Sequence, residues 1–346
     1  MNLDDPTTYA SVDPKDALAD VEGTPEQWAM ARGLANVRVD LDNVTAVVIT
    51  GMGGSGIAGD VAAAIAAPRL PVPVVVHRGY GLPGFVGPHT LVVACSYSGD
   101  TEETLSGVDA ALAAGAPLFA VTSGGALGQR CAAADLPMVT IPGGAQPRHS
   151  LPFLAVPILV ALGLDEGLDE AIAVTRDLAA AAARTVPSAE NPAKQLGLRL
   201  ASGSVPVAWG ARGLGAVAAY RLKCQLNENA KLPAIASELP ELDHNDICGF
   251  VEDSPLAGRG VGLILLRDPL GEHPRIATRF RVSEALVHAQ CAWMAEVAAS
   301  GDAPIARLAS LLLFADLASV YAALELGHDP SPITAIDRLK ASLAAS

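Results

Sequence analysis

Aromatic residues are scarce in this chain: phenylalanine, tryptophan and tyrosine together make up 4% of it. Its core must therefore be aliphatic, and 51% apolar residues over 346 positions supply enough for two domains or two fused halves of one fold. Cysteine is also sparse. The five cysteines, at 95, 131, 224, 248 and 291, form no CxxC pair and no metal-ligand spacing. That pattern excludes a disulfide scaffold and a zinc module, and it suits reduced thiols in a cytoplasmic protein. Positive charge is short as well, with a formal net charge of -14. Such a surface repels nucleic acid and anionic lipid, so neither is expected as a partner. Long hydrophobic runs are missing too. The longest, "LPFLAVPILVALGL" (151–164), is too short to span a bilayer and reads as a buried helix or connector. The opening "MNLDDPTTYA" is acidic and polar, unlike a signal peptide.

What is present alternates. After an N-terminal arm (1–43) with a helix near Thr24–Ala35, short apolar runs are expected as strands: 45–50, 72–78, 90–96, 117–123 and 137–143. Glycine loops and helical patterns separate them, which is the signature of a parallel sheet covered on both faces. The pattern restarts with "SVPVAWG" (204–210), the glycine loop "ARGLG" and a helix over 216–231. A further strand is expected at 260–268, and helices from about Arg281 to Ser300 and from Ala306 to Leu326. The expected fold is α/β: two doubly wound parallel-sheet domains in a flavodoxin-like three-layer arrangement. Residues 1–155 would hold the arm and first domain; residues 156–346 would hold connector helices, the second domain and a C-terminal helix.

The loop "GMGGSG" (51–56) lies between a strand and a helix, where free N–H groups and the helix dipole favour an anion. A dinucleotide site would want an acid at the end of the second strand, but His77 and Arg78 stand there, which disfavours NAD and leaves NADP as a rival. The third strand runs straight into "CSYSGDTEET" (95–104). Ser96, Ser98 and Thr101 could merely cap the following helix. With Gly54 and Ser55 on the first loop, at the carboxyl ends of neighbouring strands, the same hydroxyls and N–H groups can instead wrap a phosphate.

"GMGGSGIAGD" followed by "SYSGDTEET" resembles a sugar isomerase domain. "NENAK" (227–231), "PELDHND" (240–246) and the tail "DPSPITAIDRLK" (329–340) resemble the bifunctional phosphoglucose/phosphomannose isomerase family. The resemblance runs from about residue 45 to the end. It implies interconversion of aldose and ketose hexose phosphates through an enediol, in a homodimer. Such chemistry needs one base for the C1/C2 proton, a group for ring opening, and donors over the enediolate. No cofactor is implied. The seven histidines form no HxH or HExxH pair, which argues against a metal.

Glu228 is the expected base, with Asn227 and Asn229 placed to hold its carboxylate. Taken alone, a helix-end glutamate paired with Lys231 would be the ordinary reading. The resemblance implies that His244 opens the ring from the neighbouring subunit. It places Lys340 near the ring oxygen and makes Arg148 a substrate arginine for the phosphate or enediolate. Lys340 is one of only five lysines against eighteen arginines, and a lysine can lose its proton where an arginine cannot. Thr334 is expected to leave space for rotation about C2–C3, so that both epimers react. The chain also departs from the family pattern, with Ala58 in place of a common glycine, Asp100 where asparagine is frequent, and "DHND" for "NHNE". These bear on rate and preference more than on reaction type. A non-catalytic phosphosugar-binding regulator needs the hydroxyl loops but not Glu228, His244 or Lys340; an isomerase for another phosphosugar is a further rival.

Overall fold

The computed structural model describes residues 2–250 and 260–345. The arm carries helices α1 (Ala17–Glu22) and α2 (Thr24–Leu34). The first alternating unit runs β1 (Ala46–Thr50), α3 (Gly53–Ala66), β2 (Val74–His77), β3 (Thr90–Ser96), α4 (Glu102–Ala113), β4 (Leu118–Thr122), α5 (Gly125–Ala133) and β5 (Met138–Thr140). Helices α6 (Leu151–Ala161), α7 (Leu168–Ala181) and α8 (Pro192–Leu200) follow. The second unit runs β6 (Val205–Ala211), α9 (Leu214–Gln225), β7 (Ile235–Leu239), β8 (Val261–Arg267), α10 (Pro274–Val287) and β9 (Cys291–Ala298). Helices α11 (Pro304–Leu326) and α12 (Thr334–Ala344) close the described chain.

Every strand pair is parallel, in the orders β2-β1-β3-β4-β5 and β7-β6-β8-β9. The first is the flavodoxin-like order. Side-chain alternation sorts each sheet into two faces. Val47, Ile49, Leu91 and Val93 join α2, α3 and α6 in one core, while Val92, Ala94, Leu118 and Ala120 join α4 and α5 in another. In the second sheet Ile264 and Leu266 face α8, α9 and α11, while Leu263 and Leu265 face α10. The expected three layers are therefore present twice. The whole of α6, which runs through position 155, is buried in the first core.

Two elements of the second sheet differ from expectation. The segment expected as one helix over 281–300 is a helix ending at Val287 and then strand β9. Strand β7 arises in the polar stretch where no strand was expected. Both are edge strands and only partly buried, so neither carries the continuous apolar run of a central strand. The alanine, methionine and glutamate of "CAWMAEVA" favour helix locally; pairing with β8 overrides that preference.

Helix α11 has the length and hydropathy of a membrane span, yet 94% of its most apolar window is buried inside the protein. Its first turns (Ile305, Leu308, Leu312) belong to the first core, Ala315, Ala318 and Ala322 to the second, and Leu317, Val320 and Tyr321 to a third with the N-terminal arm. It crosses α8 closely: a Cβ on Gly197 would lie 2.8 Å from Tyr321 Cβ and 3.0 Å from the Ala322 nitrogen. Gly197→Ala should therefore destabilise the protein by about 1–3 kcal/mol. A lower urea midpoint at unchanged slope is the expected result; an unchanged midpoint would mean that the crossing relaxes freely.

Candidate active site

β1 and β3 are neighbours whose chains leave toward opposite sides of the sheet, which opens a crevice at their carboxyl ends. Both hydroxyl-bearing loops lie there. The Tyr97 N–H donates to Ser55 Oγ at 3.2 Å, which ties the second loop to the first. Ser96 Oγ is 3.0 Å from Thr101 Oγ1 and accepts the Gly99 N–H at 3.1 Å. Ser98 Oγ accepts the Asp100 N–H at 3.2 Å and is exposed at the crevice. Thr101 begins α4 without a side-chain cap, so its hydroxyl serves the loop and the first-turn N–H groups remain for an anion. Gly99 has φ +77, and a Cβ there would lie 1.9 Å from the Gly124 carbonyl oxygen, so only glycine lets the loop pass.

Two of the family departures are absorbed locally. Asp100 Oδ1 accepts the Ala126 N–H at 2.9 Å, capping the first turn of α5 rather than adding free charge to the cradle. Ala58 is buried in the core on α3.

The first loop touches the segment after β5: a Cβ on Gly54 would lie 3.0 Å from the Pro147 carbonyl oxygen. The next residue, Arg148, is buried, with only 2% of its side chain exposed. Its Nε donates to Asn229 Oδ1 at 2.8 Å, Nη2 to the carbonyls of Pro330 (2.6 Å) and Ser331 (3.0 Å), and Nη1 to Gln146 Oε1 at 3.2 Å. Glu228 Oε2 lies 3.6 Å from Nη1. Burial holds this guanidinium below its ordinary pKa, and the Glu228 carboxylate acts the other way. Arg148 is thus largely occupied by the protein itself, with one edge turned to Glu228.

Glu228 lies in a single π-helical turn, Leu226–Ala230, that extends α9. Such a turn changes the phase of a helix and is frequent at functional sites. The neighbouring asparagines do not hold the carboxylate as expected. Asn227 Nδ2 donates to the Leu232 carbonyl, and Asn229 joins Arg148 to Ser319 Oγ (2.9 Å) on α11. Behind them Arg221 makes a buried bidentate pair with Asp316 (2.8 Å for each bond) and donates to the Arg148 carbonyl. Tyr97, Gln146, Arg221 and Asp316 carried no sequence signal of their own; the arginine-to-carboxylate pairing spans 95 residues.

The remaining candidates stand apart. His244, on the turn after β7, is exposed, as are Thr334 and Lys340 on α12. Among the described residues no hydrogen bond or ion pair joins any of them to the cradle or to Glu228. The carboxylates flanking His244 have other partners: Asp243 pairs with Arg279 and accepts from Ser283 (2.7 Å each), and Asp246 accepts from Ser237. Lys231 donates to the backbone carbonyl of Glu228, not to its carboxylate.

Residues 189–343 match the family model described as the bacterial phospho-glucose isomerase C-terminal SIS domain. A bifunctional phosphoglucose/phosphomannose isomerase of Caldicellulosiruptor bescii is 36% identical over 334 residues, covering 94% of this chain and 98% of the relative. One from Aquifex aeolicus is 33% identical over 309 residues, covering 89% and 93%. Among solved structures, a glucose-6-phosphate isomerase like protein from Thermus thermophilus shares the fold, with a TM-score of 0.62 at 21% identity over 99% of each chain.

Asp316→Asn leaves the Arg221 charge buried without its counter-ion and should cost about 3–5 kcal/mol. Chemical denaturation measures this; a loss below about 1 kcal/mol would show that the pair does not carry the site's scaffold.

Proposed function

Because the chain belongs to the bifunctional phosphoglucose/phosphomannose isomerase family, we propose that it interconverts glucose 6-phosphate and mannose 6-phosphate with fructose 6-phosphate through an enediol. The observation that carries this reading is contiguity. The hydroxyl cradle leads through Ser55, Gly54 and Pro147 to Arg148, whose guanidinium lies 3.6 Å from the Glu228 carboxylate. A phosphate docked on Gly54, Ser55, Ser96, Ser98 and Thr101 points its sugar toward the one carboxylate that Arg148 holds.

In this scheme the N–H groups and hydroxyls of the cradle bind the phosphate dianion. Glu228 removes the proton from C2 of the aldose, or C1 of the ketose, and returns it to the neighbouring carbon. The positive edge of Arg148 faces the charge that develops on the enediolate oxygens. The scheme routes no step through a metal. The cation beside Glu228 in this scheme is the Arg148 guanidinium.

His244, Lys340 and Thr334 complete the scheme from outside this crevice. We assign ring opening to His244 of a second copy in a homodimer, Lys340 to the ring oxygen, and Thr334 to the space that lets both epimers turn. The exposure of all three is compatible with closure by a partner surface. The cysteines are all free, which suits the cytoplasm.

EDTA-treated protein given fructose 6-phosphate should form both aldose phosphates, and the absence of both ends the proposal. Glu228→Gln should lower kcat by at least about two to three orders of magnitude. Mixing inactive Glu228→Gln with inactive His244→Ala should restore up to about a quarter of wild-type activity if the histidine crosses a two-fold interface. No recovery after subunit exchange would put His244 in its own subunit's site.

A further inference from the structure

Resting on the isomerase reading above, we propose that Lys231 is a positioning residue that latches the C-terminal segment to the turn carrying Glu228, so that the base and helix α12 are placed together. Lys231 follows the π-helical turn directly and has φ 59, the left-handed region that side-chain-bearing residues avoid. A glycine would take this conformation without strain. The lysine holds it while its Nζ donates to two carbonyls: that of Glu228, and that of Pro332 at 2.7 Å, 101 residues away.

The same segment is gripped at two further points. His328 Nδ1 lies 2.7 Å from the carbonyl oxygen of Ala230, the last residue of the π-helical turn, so the ring donates there. Arg148 takes the carbonyls of Pro330 and Ser331 from the first domain's side. Residues 328–332 are therefore fixed to the base's own turn and to the arginine facing it. Every described position of α12 from Thr334 to Leu343 is exposed, so the preceding segment sets the direction of the helix. Ile336, Leu339, Lys340 and Leu343 share one face by spacing, so whatever sets that direction also aims Lys340. Among the described residues Lys231 is the side chain that hydrogen-bonds to both the Glu228 backbone and the tail, while Arg148 meets the Glu228 carboxylate at 3.6 Å and the carbonyls of Pro330 and Ser331.

Two substitutions test the latch in the full-length protein. Lys231→Met keeps the stem and loses the donors. Lys231→Gly loses the latch but relieves the backbone, so its melting temperature should hold or rise. Both should lower kcat for fructose 6-phosphate by about tenfold or more, with KM within about twofold, because the cradle is untouched. Amide exchange across 328–343 should speed up by about tenfold. Lys231→Arg, which keeps charge and donors, should recover most of both effects. Faster exchange at wild-type kcat overturns the coupling. A lower kcat with native exchange also overturns it, because Lys231 then acts without the tail; no change in either removes the latch. A wild-type protein that isomerises nothing ends the functional reading instead, and the exchange measurement then decides the latch by itself.

Discussion

A buried guanidinium needs acceptors for its N–H groups, and Arg148 draws them both from its own loop and from distant parts of the chain. Gln146 comes from the first unit, Asn229 from the second, and the carbonyls of Pro330 and Ser331 from the tail. Leaving such a group unpaired in the interior costs several kcal/mol, and a lysine could not replace the planar fork. The demand therefore acts as an assembly rule. The three segments must converge, and in converging they bring the loop beside Gly54 to the turn that carries Glu228.

That convergence rests on α11. Ser319 holds Asn229, and Asp316 holds Arg221, which in turn supports the Arg148 backbone. The same helix fills all three cores around it, so these polar contacts are carried on a rigid member. This is the arrangement that a site assembled from two domains needs: first-layer groups whose own geometry is fixed by packing behind them. It also explains why so apolar a helix carries Asp316 and Arg307 near its interior. Each is paired, Asp316 with Arg221 and Arg307 with Asp268.

Legibility in the sequence followed local residue pattern. The central strands β1, β3, β6 and β8 and the glycine loop between β1 and α3 could be read, because burial on both faces leaves an unbroken apolar run ending in glycine. The partly buried edges β2 and β5 could be read as well, but β7 and β9 could not: β7 lies in a polar stretch, and the alanine, methionine and glutamate of β9 favour helix locally. The two hydroxyl-bearing loops could be located, since each is a short stretch that directly follows a strand. The polar frame behind Glu228 could not, since its members are up to 183 residues apart. Arg148 was read as a ligand for substrate; its donors turn out to be spent mainly on the protein, which makes its position, as much as its charge, the useful property.

The same accounting resolves how a chain of net charge -14 can hold a phosphate. Three acids near the cradle are directed elsewhere. Asp100 caps α5 through Ala126, Glu102 accepts from the Tyr80 hydroxyl at 3.1 Å, and Asp60 pairs with Arg78. Burial raises the Asp60 carboxyl, and the Arg78 charge opposes that rise. Arg78 itself packs against Gly56 in the first turn of α3: a Cβ there would lie 2.9 Å from its Nε. Diffuse negative charge on the far surface is screened within about 8–10 Å at cellular salt, whereas N–H groups at a helix start act at contact. Net charge therefore sets how the protein behaves toward polyanions, and local donor geometry sets whether one dianion can dock. The two need not agree, and in this fold the glycine loops supply that local geometry.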